Sequence, residues 1–213
     1  MKDFPLFTTD YGISSLILRE VPYRAEAYIY VRDVQAGELE NHLKECVSFC
    51  RMVGAERIFA TGCEELVHYP YAMSLIQMRG TARVDPKKLC SLFPVTQGTV
   101  SHWRGIYNER MKAVDTAQTL ESWDEKQILS SNTYYIHENG TLLGIGWLEE
   151  NKILAVASVI SGAGEKVMHT LMSLADGEDM TVEVASTNER AIHLYEKMGF
   201  IKAKEVYRWH RVE

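Results

Sequence analysis

A few residues in the C-terminal half have types and spacing that could do chemistry. Gly162 and Gly164 form a Gly-x-Gly loop just before a predicted helix. Successive amides without bulky side chains, backed by a helix N-terminus, can bind an anion. Tyr195 carries a phenol, which at neutral pH still holds a proton that it could give. The sequence therefore predicts an anion site, and it leaves Tyr195 open between a packing role and proton donation.

Two predicted helices must position these residues. Val182 and Val184 indicate a short strand, and Ser186, Thr187 and Asn188 are side chains that can cap a helix. Glu189 follows Ser186 at the capping-box spacing. The apolar face of the helix and its glycine stop are given by Ala191, Leu194, Tyr195, Met198 and Gly199. Upstream, strand 152–159 leads through the glycine loop into a helix from Gly164, on which His169 is expected to face solvent.

The elements before this pair are predicted from periodicity and turn residues. Strand 92–96 is followed by helices over 100–117 and 120–129. Strands 132–137 and 141–148 form a hairpin across Asn139-Gly140, and strand 152–159 pairs back on it. From about residue 90 the order is therefore strand, helix, helix, three antiparallel strands, helix, strand, helix and strand.

This order and two motifs resemble the GNAT acetyltransferase superfamily. The last helix matches the superfamily pattern N-x-x-A-x-x-L-Y-x-x-x-G-F at Asn188, Ala191, Leu194, Tyr195, Gly199 and Phe200. The glycine loop is similar to the superfamily's Q/R-x-x-G-x-G/A. The resemblance implies an α/β (α+β) fold with a mixed, mostly antiparallel sheet and flanking helices, preceded here by a smaller α+β domain.

The resemblance also implies a cofactor and a set of site residues. The loop would hold the pyrophosphate of acetyl-CoA, and the pantetheine arm would pair with strand 153–159 beside a gap between Ala157 and Ser186. Tyr195 would donate a proton to the departing thiolate, and Asn188 would hold pantetheine or a water. The implied cofactor-binding residues are Ala157, Val159, Ile160, Gly162, Ala163, Gly164, Glu165, Asn188 and Tyr195.

The sequence departs from the superfamily pattern at two points. Val159 stands where the loop motif has Gln or Arg, so one charged contact to the cofactor is missing, for which Lys166 could compensate. Leu154 stands near the position where many relatives carry a glutamate base. Glu149, Glu150 and Glu183 are more typical of a solvated surface. An amine that is already deprotonated through water would need no side-chain base.

The function predicted from this resemblance is acetyl transfer from acetyl-CoA to a primary amine of a small molecule or peptide. Candidate residues for the acceptor site are Trp103, Tyr107, Asn108 and Trp147, although most such aromatic residues are core. The alternative is an acyl-CoA-binding or regulatory module with little turnover, and a third reading is a structural protein that has lost the cofactor. No metal site is expected.

The N-terminal region shows a similar order of elements. Strands 13–19 and 25–33, a helix 37–52, and strands 57–61 and 71–78 are predicted. The expected domains are a degenerate or partial copy of the same fold over 1–80, a linker over 81–90 and the acetyltransferase domain over 91–213; an unrelated α+β extension is the alternative to a copy. Such a copy, without the two motifs, would serve as scaffold or interface, and an uncovered edge strand could support a homodimer.

Composition narrows the class of protein. The chain has 213 residues and a net charge of −6, with no basic stripe, so nucleic acid is not an expected partner. It has no apolar run of membrane-spanning length and no signal-peptide core, which favours a cytoplasmic protein. Cys46 and Cys50 fall on the apolar face of helix 37–52, and the four cysteines lack the spacing of a metal site. We expect them to be small hydrophobic residues with reduced thiols.

Overall fold

The computed structural model describes residues 5–81, 83–175 and 179–213. The chain divides into two compact units, the first comprising Met1–Ser74 with Val206–Glu213 and the second Leu75–Glu205. These bounds differ from the predicted domains, because two long strands, Tyr71–Thr81 and Ile201–Arg211, each begin in one unit and end in the other. No helix in the described ranges has the length and apolar content needed to cross a membrane.

The first unit is a five-stranded sheet with one long helix. Its elements are β1 Leu6–Thr8, β2 Gly12–Ile17, α1 Val21–Arg24, β3 Glu26–Val34, α2 Leu39–Met52, β4 Arg57–Thr61, the start of β5 Tyr71–Thr81 and the end of β11 Ile201–Arg211. The strands lie in the order β1-β2-β3-β4-β11. The predicted strands and helix of this region are all present, while β1 and the single turn of α1 carried no clear sequence signal.

Helix α2 packs its apolar face on one side of this sheet. Leu39, Leu43, Cys46 and Cys50 are buried there against Ile29 and neighbouring strand residues. Cys46 and Cys50 have no exposed surface, as expected for small hydrophobic residues. Burial raises the pKa of the Cys46 thiol to about 11 and that of Cys50 to about 12, so both are protonated at neutral pH.

In the first unit, α2 connects the neighbouring strands β3 and β4, and no gap separates these two strands. β3 and β4 are parallel and pair at five consecutive positions, from Glu26↔Arg57 to Tyr30↔Thr61. Every residue of β4 therefore has a partner on β3. This side of β4 leaves no edge on which an extended ligand could add.

A buried histidine links α2 to the first hairpin. His42 is fully buried, with Nδ1 2.8 Å from Thr9 Oγ1 and Nε2 2.7 Å from Ser14 Oγ. Thr9 Oγ1 already accepts from the Tyr11 and Gly12 amides, so its own hydrogen goes to Nδ1. Nε2 therefore carries the proton of the neutral ring and donates to Ser14.

This arrangement predicts a pH-dependent stability. Burial lowers the pKa of His42, whereas in the unfolded chain it returns to about 6.5. As pH falls below about 6.5 the unfolded chain binds a proton that the folded ring resists, so stability decreases. Burial lowers the pKa of His169 in the second unit as well, so both rings contribute. In urea unfolding, the midpoint of the original chain should fall between pH 7 and pH 5.5, and we expect a smaller fall for His42→Gln. His68→Gln, which changes an exposed histidine, should show the same fall as the original chain. An unchanged loss in His42→Gln would contradict this assignment.

The second unit carries the remaining elements on a six-stranded sheet. After the rest of β5 come β6 Ser91–Pro94, α3 Val100–Met111, α4 Glu125–Ser130, β7 Asn132–Glu138, β8 Thr141–Glu149, β9 Lys152–Ser158, α5 Gly164–Met172, β10 Asp179–Ala185, α6 Glu189–Lys197 and the start of β11. The strand order is β5-β10-β9-β8-β7-β6. One core lies between the sheet and α5 and α6, and a second lies between the sheet and α3 and α4.

The order of elements predicted for this region is confirmed, with shifted ends. Helix α3 stops at Met111 rather than near residue 117, and the second helix begins as a 3-10 turn at Ser122–Asp124. The hairpin turn forms at Asn139 and Gly140, whose φ angles are 51° and 79°. Both angles are left-handed, as a type I′ turn requires.

Residues 83–90, which lie within the predicted linker 81–90, pack on α5. The amides of Asp85 and Cys90 donate to His169 Nδ1 at 3.2 Å and to Thr170 Oγ1 at 3.0 Å. His169 is accordingly buried, with 8% of its surface exposed, instead of facing solvent. Helical periodicity could not reveal a segment that returns from eighty residues earlier to cover this face.

Candidate active site

Strands β9 and β10 separate shortly after they meet. They are parallel and pair only at Thr181↔Lys152 and Val182↔Ile153. The register of β9 against β8 steps from Ile153 to Ala155, which leaves Leu154 as an extra, bulged residue. A bulge bends its strand, so β9 turns away from β10 just past the last pair. The remainder of β9 thus presents an unpaired edge to a gap inside the sheet.

The glycine loop lies where β9 leads into α5, at the carboxyl end of this gap. Gly162 has a φ of +82°, and no atom lies within 4 Å of where a Cβ would be. Ala163 is the N-cap of α5 and no side chain caps the helix. The first-turn amides, which no helix can satisfy internally, are therefore available to an anion.

The two sequence motifs are adjacent in the fold. A Cβ on Gly164 would lie 3.1 Å from Leu194 Cδ2, so α6 packs closely against the loop at its second glycine. Helix α6 begins at Asn188, whose Oδ1 accepts from the Ala191 amide at 3.2 Å. The N-cap of α6 is therefore Asn188, whereas the capping-box spacing pointed to Ser186.

The end of α6 fixes the position of Tyr195. Phe200 N donates to Tyr195 O at 2.9 Å and Gly199 N to Glu196 O at 3.0 Å, which is a Schellman motif with Gly199 at φ +89°. The Tyr195 ring packs against Phe200 in the core between α5, α6 and the sheet. Burial raises the pKa of Tyr195 to about 12, so the phenol keeps its proton.

The other predicted cofactor-binding residues follow β9 into the loop. Ala157 pairs with Ile145 on β8, and Val159 continues this ladder by donating to Leu143 O at 2.8 Å. Ile160 is exposed and Ala163 is buried. Glu165, in the first turn of α5, accepts from Lys197 and from Lys88, the latter at 2.7 Å. These contacts lower the pKa of its carboxyl to about 2.

The predicted acceptor-site residues lie together on the α3 side of the sheet but have different contacts. Trp103 is fully buried and donates to Tyr134 O at 3.1 Å, and Tyr107 stacks on it. Asn108 Nδ2 donates to Leu120 O, and Leu120 N donates to Asn108 Oδ1, both at 2.8 Å. Trp147 is 6% exposed, and its Nε1 has no partner among the described residues. A buried N–H without a partner is costly, so Trp147 is the strongest of the four as a ligand contact.

One segment that sequence reasoning missed reaches from the end of β9 to the end of β10. Arg110 Nη2, in the last turn of α3, donates to Val159 O at 2.8 Å, just after β9. Five residues later Asp115 Oδ2 accepts from Thr187 Oγ1 at 2.6 Å, just after β10. Residues 110–115 therefore span the mouth of the gap. No local pattern reveals these contacts, because their partners are 49 and 72 residues away in sequence.

The glutamates considered as bases lie in solvated positions. Glu183 accepts from Lys152 at 2.8 Å, and Glu149 and Glu150 are exposed at the β8–β9 turn. Within the described residues no three His, Cys, Asp or Glu side chains converge as a metal site.

Comparison with known proteins agrees with this geometry. The family model for FR47-like proteins matches residues 160–209, which contain the loop, α5, β10 and α6. A GCN5-related N-acetyltransferase from Sphaerobacter thermophilus has a similar structure, with a TM-score of 0.57 and 13% identity over 93% of this chain and 75% of that one. The chain therefore has a fold like that of GCN5-related N-acetyltransferases.

Two other structures are similar in fold over nearly the whole chain. A functionally unknown conserved protein of Staphylococcus epidermidis has a TM-score of 0.61 and 11% identity over 98% of this chain and 93% of that one. A protein of Enterococcus faecalis, a probable N-acyltransferase, has a TM-score of 0.62 and 11% identity over 94% of this chain and 58% of that one. No curated protein matches the chain by sequence. The GNAT likeness therefore includes the first unit, and at this identity it concerns the fold.

Proposed function

We propose that the chain is an acyltransferase that moves an acetyl group from acetyl-CoA to a primary amine. The observation that carries the proposal is the gap between β9 and β10, which ends at an uncapped helix N-terminus with an open glycine loop. An extended arm with an anionic end matches both features. The β9 edge offers backbone groups to the arm, and the loop offers amides to the anion.

The residues of the chain then have distinct roles. Acetyl-CoA supplies an acyl carbon activated as a thioester. The amides of Gly162, Gly164 and Glu165 hold the diphosphate, while the Ala163 amide donates to Ile160 O at 3.3 Å. The bulge at Leu154 keeps the β9 edge open for the pantetheine amides. As the amine nitrogen bonds to the acyl carbon and the carbon–sulfur bond breaks, Tyr195 gives its proton to the sulfur. The proton lost by the amine goes to water, and Tyr195 takes a proton back from water before the next turnover.

Trp147 and Tyr107 are the residues that we propose for the amine acceptor. They lie on the α3 side of β8 and β9, opposite the face that buries Tyr195. The indole N–H of Trp147 would find its missing acceptor in this substrate. Trp103 and Asn108 would support the wall through their backbone contacts rather than touch the acceptor.

A second candidate function is an acyl-CoA-binding or regulatory module. Two observations favour it: Val159 replaces the basic residue of the loop motif, and β9 carries no glutamate. For the first unit we propose a scaffold or interface role without a cofactor site, since its parallel strands β3 and β4 stay paired throughout. A homodimer through this unit would be consistent with such a role.

Thiol release distinguishes the two functions. The purified chain is incubated with acetyl-CoA and a panel of small amines and lysine-containing peptides, while free thiol and acetylated product are measured. An acyltransferase gives amine-dependent thiol release with a matching product mass. Tight binding of acetyl-CoA without product for any amine would support the binding module instead.

A further inference from the structure

Arg110 lies at the start of the glycine loop although it belongs to a different element. It is in the last turn of α3, and its Nη2 donates to the carbonyl of Val159 at 2.8 Å. Val159 is the position where the loop motif carries Gln or Arg. A guanidinium from α3 is thus held next to the backbone from which the missing basic side chain would project.

The contact with Val159 occupies only one of the N–H donors of this guanidinium. An arginine has five N–H donors, and one carbonyl engages one of them. Within the part of the chain that the structure describes, no carboxylate pairs with Arg110, whereas Lys166 is held by Glu138 and both Lys88 and Lys197 are held by Glu165. Arg110 is therefore not held in an ion pair of this kind, although Glu109 lines the same groove.

A groove opens beside the guanidinium. It has a volume of about 310 Å³ and is lined by His102, Gly105, Ile106, Glu109, Arg110 and Val159. No atom lies within 4 Å of where a Cβ on Gly105 would be, so the helix surface is open at this point. Arg110 and Val159 therefore border open space at the start of the loop.

We propose that Arg110 is a phosphate-binding residue that replaces, from α3, the basic side chain absent from the loop. Its remaining donors contact the diphosphate of an acyl-CoA whose other oxygens face the loop amides. The planar fork of a guanidinium suits a phosphate better than an ammonium does. This inference rests on the proposed function, because it requires an acyl-CoA in the gap.

Calorimetric titration tests the role of Arg110. CoA, which carries the phosphates, is compared with pantetheine, which has the same arm without them. We expect Arg110→Ala to bind CoA about ten- to a hundredfold more weakly, the loss typical of a charged hydrogen bond. Arg110→Lys should recover part of this loss, and the dependence of CoA affinity on salt should be shallower in Arg110→Ala. Lys126→Ala, which removes an exposed cation on α4, should bind CoA like the original chain.

Three outcomes would overturn the assignment. If Arg110→Ala binds CoA as tightly as the original chain, with an unchanged salt dependence, Arg110 does not contact phosphate. If affinity for pantetheine falls by the same factor as that for CoA, Arg110 acts by holding the Val159 backbone. If the original chain binds no CoA, the proposed function fails as well, so its failure is distinguishable from that of Arg110 alone.

Discussion

Tyr195→Phe is expected to lower turnover about 10²–10⁴-fold, the usual contribution of a general acid, while acetyl-CoA affinity stays nearly unchanged. Burial raises the pKa of the phenol to about 12, so it is fully protonated at neutral pH. The raised pKa makes the phenol a weaker acid, so its proton moves to the sulfur only as the carbon–sulfur bond breaks and negative charge builds there. Steady-state rates and acetyl-CoA titrations on one preparation measure the two effects separately.

Tyr135→Phe is the matched control for this variant. Tyr135 is 7% exposed, as buried as Tyr195, and its hydroxyl donates to Thr99 O at 2.7 Å. Loss of that hydrogen bond should lower the melting temperature and leave turnover intact. If Tyr195→Phe instead behaves like Tyr135→Phe, with normal turnover, Tyr195 is a packing residue and the proton comes from water or the substrate.

Gly162→Val is expected to abolish binding of acetyl-CoA and leave the fold intact. The φ of +82° at Gly162 is left-handed, so a β-branched residue is strained there. Its side chain would also extend into the open space over the loop, where we place the diphosphate. Circular dichroism and calorimetric titration of acetyl-CoA check the two parts of this prediction.

Gly37→Val is the control that separates the effect of backbone strain from the effect of blocking the diphosphate site. Gly37 has nearly the same φ, +80°, and equally open surroundings, but it lies in the first unit before α2. It should show a similar loss of stability with normal cofactor affinity. Unchanged affinity in Gly162→Val would place the diphosphate elsewhere and refute the role of the loop.

The parts of the site that sequence reasoning predicted are those determined by neighbouring residues. The strand, cap, apolar face and Schellman stop around Asn188–Phe200 are all local, and the structure contains each of them except the cap at Ser186. The Asn139-Gly140 turn and the Gly162-x-Gly164 loop are local in the same sense. These local motifs, together with the order of elements, were therefore sufficient to predict the fold of this half.

The features that were missed depend on contacts between distant segments. The bulge at Leu154 is defined by the register against β8, and the partner of Arg110 lies on another strand. The burial of His169 depends on a segment that carries no helical or strand period. The division into two units also depends on distant contacts, since β5 and β11 look like ordinary strands in sequence and each begins in one unit and ends in the other.

The central claim is that acetyl-CoA binds in the open gap between β9 and β10. Calorimetric titration of acetyl-CoA into the chain tests this claim most directly. The partly separated pair β9–β10 and the fully paired β3–β4 together predict saturable binding with one molecule per chain at or below millimolar concentration. Two molecules per chain would contradict the scaffold role of the first unit. No binding at millimolar acetyl-CoA would contradict both the acyltransferase and the binding-module proposals.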